Sequence, residues 1–226
     1  MDEELGELEG ELVDAVSTVE RLELSAAGPR SVEFSRKLRR LAILSFAEFQ
    51  DAREFRSHLA RSALVRETYL KRCAAASATE LPHYATGRYD ALIDAIAAHR
   101  LDLARSIVRL SPTSWQRGKE SRADYLYGTV VGALICERDE EAAALLEELA
   151  AEPDEYSRLC YRALRSILRR SAAELESSLA ELLRRDADVP VFVEGVALGV
   201  LAAKRGIGVP SGIDRCPDVL IREPER

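Results

Sequence analysis

The sequence predicts an all-α fold, and three observations make the prediction. Ala, Leu, Glu and Arg dominate the 226 residues, while Gly (12) and Pro (8) are scarce. That composition favours helix, because straight side chains lose little rotamer freedom there. Apolar residues recur at helical spacing through most of the chain, and no segment alternates convincingly at period two. A helix–short turn–helix pattern also repeats, as AIAAHRLDLARSI, LICERDEEAAALL, SILRRSAAELESSL and, more degenerate, LAAKRGIGVPSGI. Its turns centre near His99, Glu137, Arg169 and Lys204, at spacings of 38, 32 and 35 residues. Periods of ~34 residues mark stacks of αα-hairpins. The tetratricopeptide consensus itself is absent. The expectation is therefore an irregular αα-hairpin stack, a tetratricopeptide-like solenoid with an N-terminal helical cap.

Taken in order, residues 1–77 lack the repeat and are expected to form three helices packed on the first hairpin. Phe34, Leu38, Leu41, Ala42, Phe46 and Phe49 give them a buried stripe. Residues 77–87, SATELPHYATG, form the junction, with Pro82 at a helix boundary. The next stripe is Tyr89, Leu92, Ile93 and Ile96. It is followed by Ala123, Leu126, Tyr127, Val130, Val131, Leu134 and Ile135, which bury one face of a helix over 120–136. Gly128 with Gly132 and Gly195 with Gly199 lie at i, i+4, where a glycine costing ~1 kcal/mol against Ala needs a close helix approach in return. About ten helices of ordinary length result. They are expected in one domain, 1–226, made of N-terminal helices (1–77) and a repeat-like region (83–226).

The net charge of −7 disfavours non-specific binding to nucleic acid or membrane. Acids dominate residues 1–23 and 137–155, and bases dominate 36–72. Solvated helix faces are the ordinary meaning of such runs, and an acidic surface suited to a basic partner is the functional one. Cys73, Cys136, Cys160 and Cys216 form no CxxC pair, and MDEELGELEG has no signal-peptide character. Reduced buried thiols in a cytoplasmic protein are expected. VFVEGVALGVLAA is the closest approach to a membrane span, and Glu194 interrupts it.

Catalytic, cofactor and metal signatures are missing from the sequence. His58, His83 and His99 are far apart, and neither HExxH nor zinc spacing occurs. GVPSG (208–212) reads as a turn. His99 falls where it would cap a helix C-terminus. Asp90 with Asp94 and Glu137 with Glu141 are i, i+4 carboxylate pairs. Such pairs can hold a cation or serve acid–base chemistry, but they are mostly solvated faces. No enzyme, no cofactor and no metal is expected.

SPTSWQRGKESRADYLYG (111–128) holds the only Trp. Pro112 ends one helix, residues 113–119 form a loop, and acids near 120–124 suit the start of the next helix. In one reading Trp115 and Arg117 project as interface anchors. In the other, which Trp's usual burial favours, Trp115 folds back over the apolar seam between Tyr89 and Tyr127.

The stretch GRYDALIDAIAAHRLDLARSIVRLSPTSWQRGKESRADYLYGTVVGALI resembles the central region of the immunity protein 49 family. There an "ARSIVRLSP"-like hairpin leads into a Trp loop, then into an acidic residue with aromatics. VEGVALGVLAAKRGIGV is similar to that family's C-terminal helix. The resemblance implies an all-helical antitoxin of bacterial polymorphic-toxin systems, used in interbacterial competition, that binds and blocks its cognate toxin. It carries over no contact residue. From residue type and the acidic run, the candidate toxin-binding residues are Trp115, Arg117, Asp139, Glu140, Glu141, Glu147, Glu148, Glu152, Asp154 and Glu155, the acids steering toward a basic surface. An αα-repeat adaptor or scaffold in a regulatory or secretion complex would suit the same pattern. A helical enzyme would instead need converging acids with shifted pKa values.

Overall fold

A computed structural model describes residues 2–84, 88–184, 190–208, 213 and 215–223, and every regular element among them is helical. The chain divides into two compact units, Met1–Ser121 and Arg122–Arg226.

The first unit is built on a long hairpin of α3 (Leu24–Phe49) and α4 (Ala52–Ala75). The predicted stripe of α3 is buried at Phe34, Leu38, Leu41, Ala42 and Phe46, whereas Phe49, in its last turn, is 57% exposed. The Asp51 carboxylate starts α4 by accepting the N–H groups of Arg53 and Glu54 at 2.7 and 3.0 Å. Two short helices, α1 (Asp2–Leu12) and α2 (Ala15–Arg21), pack on α3 and α4 respectively. Residues 1–77 thus hold four helices, not three. A 3₁₀ turn at Pro82–Tyr84 follows, and α5 (Arg88–Ala97) and α6 (Leu101–Leu110) pack against α4.

In the second unit α7 (Arg122–Ile135) pairs with α8 (Asp139–Ala150), and α9 (Glu155–Leu168) with α10 (Ala172–Leu183). α9 also contacts α7, α8 and α11 (Val193–Lys204). The predicted stripe of α7 is buried from Leu126 through Ile135. The fourth repeat has its turn, but the described chain resumes with only the four-residue α12 (Asp218–Ile221). The GVPSG turn, apart from Gly208, lies outside the described residues. α12, the Cys216 just before it and the Phe192 ring at the start of α11 fill the face that the glycines of α11 leave open. A Cβ at Gly199 would meet Ile221 at 2.8 Å, and one at Gly195 would meet the Cys216 sulfur at 2.5 Å. This is the close approach that the glycine spacing predicts.

The four predicted turns, and the end of α4 at Ser77, share one geometry. Ser77, His99, Glu137, Arg170 and Gly206 take left-handed φ values of 52°, 59°, 59°, 56° and 76°. After each, the next N–H reaches back across the last helical turn. Ala78 donates to Cys73 O at 2.9 Å, Arg100 to Ala95 O at 2.8 Å and Arg138 to Ala133 O at 2.9 Å. Ser171 donates to Ser166 O at 2.9 Å and Ile207 to Ala202 O at 3.0 Å. The left-handed residue itself donates to the carbonyl three positions back. This is the Schellman arrangement, which satisfies carbonyls that a helix end leaves orphaned. Three of these turns are followed within two residues by the next helix, which makes each a tight αα-hairpin.

Arginines also reach backbone carbonyls at or near helix ends. Arg61 donates to Leu12 O (2.5 Å) and Arg72 to Val19 O (2.5 Å), at the ends of α1 and α2. Arg66 donates to His83 O (2.9 Å), Arg205 to Leu134 O (3.1 Å) and Arg215 to Leu183 O (3.2 Å). Cationic donors suit the negative end of a helix dipole. Much of the basic run 36–72 is therefore spent inside the first unit.

A left-handed L-residue other than glycine costs roughly 1–2 kcal/mol. Glu137 is exposed and at φ 59°. Glu137→Gly is expected to raise stability by about 0.5–1 kcal/mol after glycine's own entropic cost, measured by urea denaturation. An unchanged or lower midpoint would contradict this account of the turn.

Candidate functional site

The sequence-predicted residues fall into two groups, one in each unit. In the first unit, α6 ends at Leu110 and Ser111 turns extended before Pro112. The loop that follows is tied down at several points. Lys119 Nζ donates to Glu80 O at 2.5 Å, Lys119 N to Gln116 O at 3.0 Å, and Arg117 and Glu120 form an isolated β-bridge. Gly118 supplies the turn with φ 86°. The Trp115 indole N–H donates to Glu120 O at 3.2 Å. Trp115 is 38% exposed, so it is not the buried staple that Trp's usual burial favours. A five-residue contact along its own loop holds it in place and leaves part of the ring in solvent. Arg117 is exposed beside it in sequence.

The acidic candidates lie along α8 and the start of α9 in the second unit, and most are engaged. Both Asp139 carboxylate oxygens accept from Arg205 at 2.7 Å. Glu141 pairs with Arg138 at 2.7 Å, and Arg122 pairs with Glu148 and Glu152 at 2.9 and 3.1 Å. Asp154 is the N-cap of α9, accepting from Ser157 N at 2.8 Å and Ser157 Oγ at 2.5 Å, which holds its pKa below the ordinary carboxylate value. Glu140, Glu147 and Glu155 are exposed.

Two polar clusters were not marked as such by the sequence. The first is the Asp90/Asp94 pair, an expected solvated face. Asp94 is instead fully buried. Arg39 reaches across from α3, its Nε donating to Asp94 Oδ1 (2.7 Å) and its terminal nitrogens to Asp90 Oδ1 (2.9 Å) and Asp90 O (2.6 Å). Ser62 Oγ lies 2.5 Å from Asp94 Oδ2 and 2.8 Å from Ser35 Oγ, so three helices meet in one network. Burial raises the Asp94 pKa to about 6 against the pull of Arg39 and Ser62, while the two aspartates hold Arg39 firmly protonated. The carboxylates do converge, but they are committed to a guanidinium in the core. Nearby, Arg66 is 1% exposed, donates to Ser31 Oγ at 2.5 Å and stacks over the Tyr69 ring at 5.4 Å. Burial lowers its pKa to about 10.

The second cluster surrounds Glu194, the residue that breaks the apolar run of α11. Tyr156 OH donates to Glu194 Oε2 at 2.8 Å. Burial, then the Glu194 charge, raises the pKa values of Tyr127 and Cys160. A lone acid in an otherwise apolar helix was the available signal. Its partners, Tyr127 on α7 and Tyr156 on α9, come only from the tertiary fold.

Among the described residues no group of three or more His, Cys, Asp or Glu side chains could hold a metal ion, and no helix is long and apolar enough to cross a membrane. No family model matches the chain, and neither a curated protein nor a solved structure matches it.

Asp94→Ala is expected to cost about 3–5 kcal/mol, because it strips buried donors on Arg39 and Ser62 of their acceptor. The pH signature is separate. A folded-state pKa of about 6 lies above the unfolded value of about 3.9. This group's stabilising contribution is therefore full below the unfolded value and is lost as pH rises through about 6. Asp94→Asn should flatten the stability–pH curve between about pH 4 and 6, as read from denaturation midpoints. A curve that keeps its slope in the Asn variant refutes the assignment.

Proposed function

We propose that this chain is an immunity protein that binds and neutralises a cognate bacterial toxin by direct contact. In this reading it is a cytoplasmic, non-enzymatic αα-hairpin stack of tetratricopeptide-like arrangement. The observation that carries the proposal is the 111–121 loop. Trp115 is 38% exposed yet fixed through its indole N–H, and the loop around it is fastened to Glu80. Trp and Arg are the residue types most enriched at binding hot spots, and an anchor ordered before binding loses less entropy on association. The resemblance to immunity protein 49 over the same stretch points the same way. Exposed Glu140, Glu147 and Glu155 would add electrostatic steering toward a basic toxin surface.

The test is co-expression with the toxin domain encoded beside this chain, followed by affinity measurement on the purified pair. Trp115→Ala and Arg117→Ala are each expected to weaken binding by more than about tenfold. Stability should stay within about 1 kcal/mol of the parent, since a part-exposed loop side chain buries little. Reversing Glu140, Glu147 and Glu155 together should lower the association rate more than it raises the dissociation rate. Failure of the unmodified chain to protect cells against that domain would remove the reading for the pair.

A further inference from the structure

The α1–α2 pair is anchored in the first unit by few apolar groups. Its buried hydrophobic side chains among the described residues are Leu12, Ala15 and Val19. Polar contacts add to the hold: Lys37 to Glu11 at 2.5 Å, and Arg61 and Arg72 to the carbonyls of Leu12 and Val19. On α4, one turn before Arg61, lies His58. It is 7% exposed, and its Nδ1 is buried with no hydrogen-bond partner among the described residues. His58 and Arg61 are three residues apart, so the imidazole and the clip that grips α1 share one face of α4. The charged groups facing the imidazole are Arg61 and Glu54 from α4 itself and Glu9 from α1.

We propose that the α1–α2 pair is a pH-sensitive cap, docked over a neutral imidazole at His58 and released when that imidazole takes up a proton in the opened form. An imidazolium carries two N–H donors. In the docked form Nδ1 has no acceptor in reach, and burial together with Arg61 outweighs the attraction of Glu9 and Glu54 for the added charge, whereas in the opened form both donors face water. The proton therefore binds the opened form more tightly, and acid shifts the equilibrium toward it. Burial, with Arg61, holds the His58 pKa below that of a free imidazole. Docking is thus intact above about pH 6.5 and is lost progressively as pH falls through and below that value. Asp94 titrates in an overlapping window, but its protonation favours the folded state, and it sits between α3, α4 and α5. The two responses are therefore opposite in sign and separate in place.

The experiment is hydrogen–deuterium exchange on the full chain at about pH 7.5 and about pH 5.5, with rates corrected for intrinsic exchange. The opening equilibrium of α2 is expected to rise by about tenfold over that interval, the limit set by a free imidazole pKa of about 6.5. The α5–α6 amides should not follow. His58→Phe and His58→Gln should both abolish the rise. The proposal is overturned if α2 changes less than twofold in the unmodified chain, if α5–α6 change equally, or if the rise survives in a folded His58 variant. The unmodified chain alone decides the first two outcomes should neither variant fold.

Discussion

Helices of ten to fourteen residues expose a constraint that long helices hide. A helix leaves four N–H groups at its start and four carbonyls at its end without an intrahelical partner, and in a ten-residue helix those ends are a large part of the element. α5 through α11 are all of this kind. α5, α7, α9 and α11 end in a Schellman turn that lets the chain reverse at once, Arg215 donates to the last carbonyl of α10, and the last turn of α6 accepts from Ser111 and the Tyr84 hydroxyl. The turn sets hairpin geometry because it fixes the entry of the next helix within two residues. The arginines fix which other segment must lie beside the end. Arg205 does both jobs at one joint, donating to Leu134 O at the end of α7 and to Asp139 at the start of α8. Loss of either device would leave the apolar stripes intact and the hairpin angle undefined.

That constraint explains how charge is spent. Arg39, Arg61, Arg66 and Arg72 come from the basic run, and each is turned inward to a carboxylate, a hydroxyl or a carbonyl. The planar guanidinium, with five fixed donors and weak hydration, is suited to this where an ammonium is not. The acidic run of α8 is answered in the same way by Arg122, Arg138 and Arg205. The acidic run is thus locally neutralised at Asp139, Glu141, Glu148 and Glu152, each of which has a guanidinium within hydrogen-bond reach.

The sequence made the helical class and the hairpin turns legible because both rest on local signals. The stripe Leu126 to Ile135 and the apolar–charged–Ala pattern around Glu137 need no tertiary knowledge. The turn residues were harder to see. The chain has no asparagine, and only Gly206 among the five shared turn positions is glycine, so the usual left-handed markers are absent at Ser77, His99, Glu137 and Arg170. The short α1 and α2 were also obscured, because part of their hold comes from carbonyls gripped by arginines of α4, which no residue pattern announces. The candidate site was legible only as a location. The sequence marks Trp115 as unusual, but its exposure depends on Glu120 O and Glu80 O, backbone atoms that no residue pattern announces. Asp90 and Asp94 read as a surface pair because their partner, Arg39, is over fifty residues away in sequence.

A buried charge network and a part-exposed aromatic loop have different physical consequences. Arg39, Asp94 and Ser62 cost desolvation and return it only in one geometry, so they define where α3, α4 and α5 meet more than they add net stability. The 111–121 loop follows α6, which packs on α4 beside that junction, and Tyr84 OH joins the two by donating to Leu110 O at 2.6 Å. The loop is thus fastened at the end of α6 through Tyr84 and at its own tip through Lys119 to Glu80. Both fastenings run to residues 80–84, and Arg66 grips the carbonyl of His83 within that same stretch. A surface side chain held this way inherits its position from the core. The indole at position 115 is tied, through Lys119 and Glu80, to a segment that the buried Arg66 grips at His83 O.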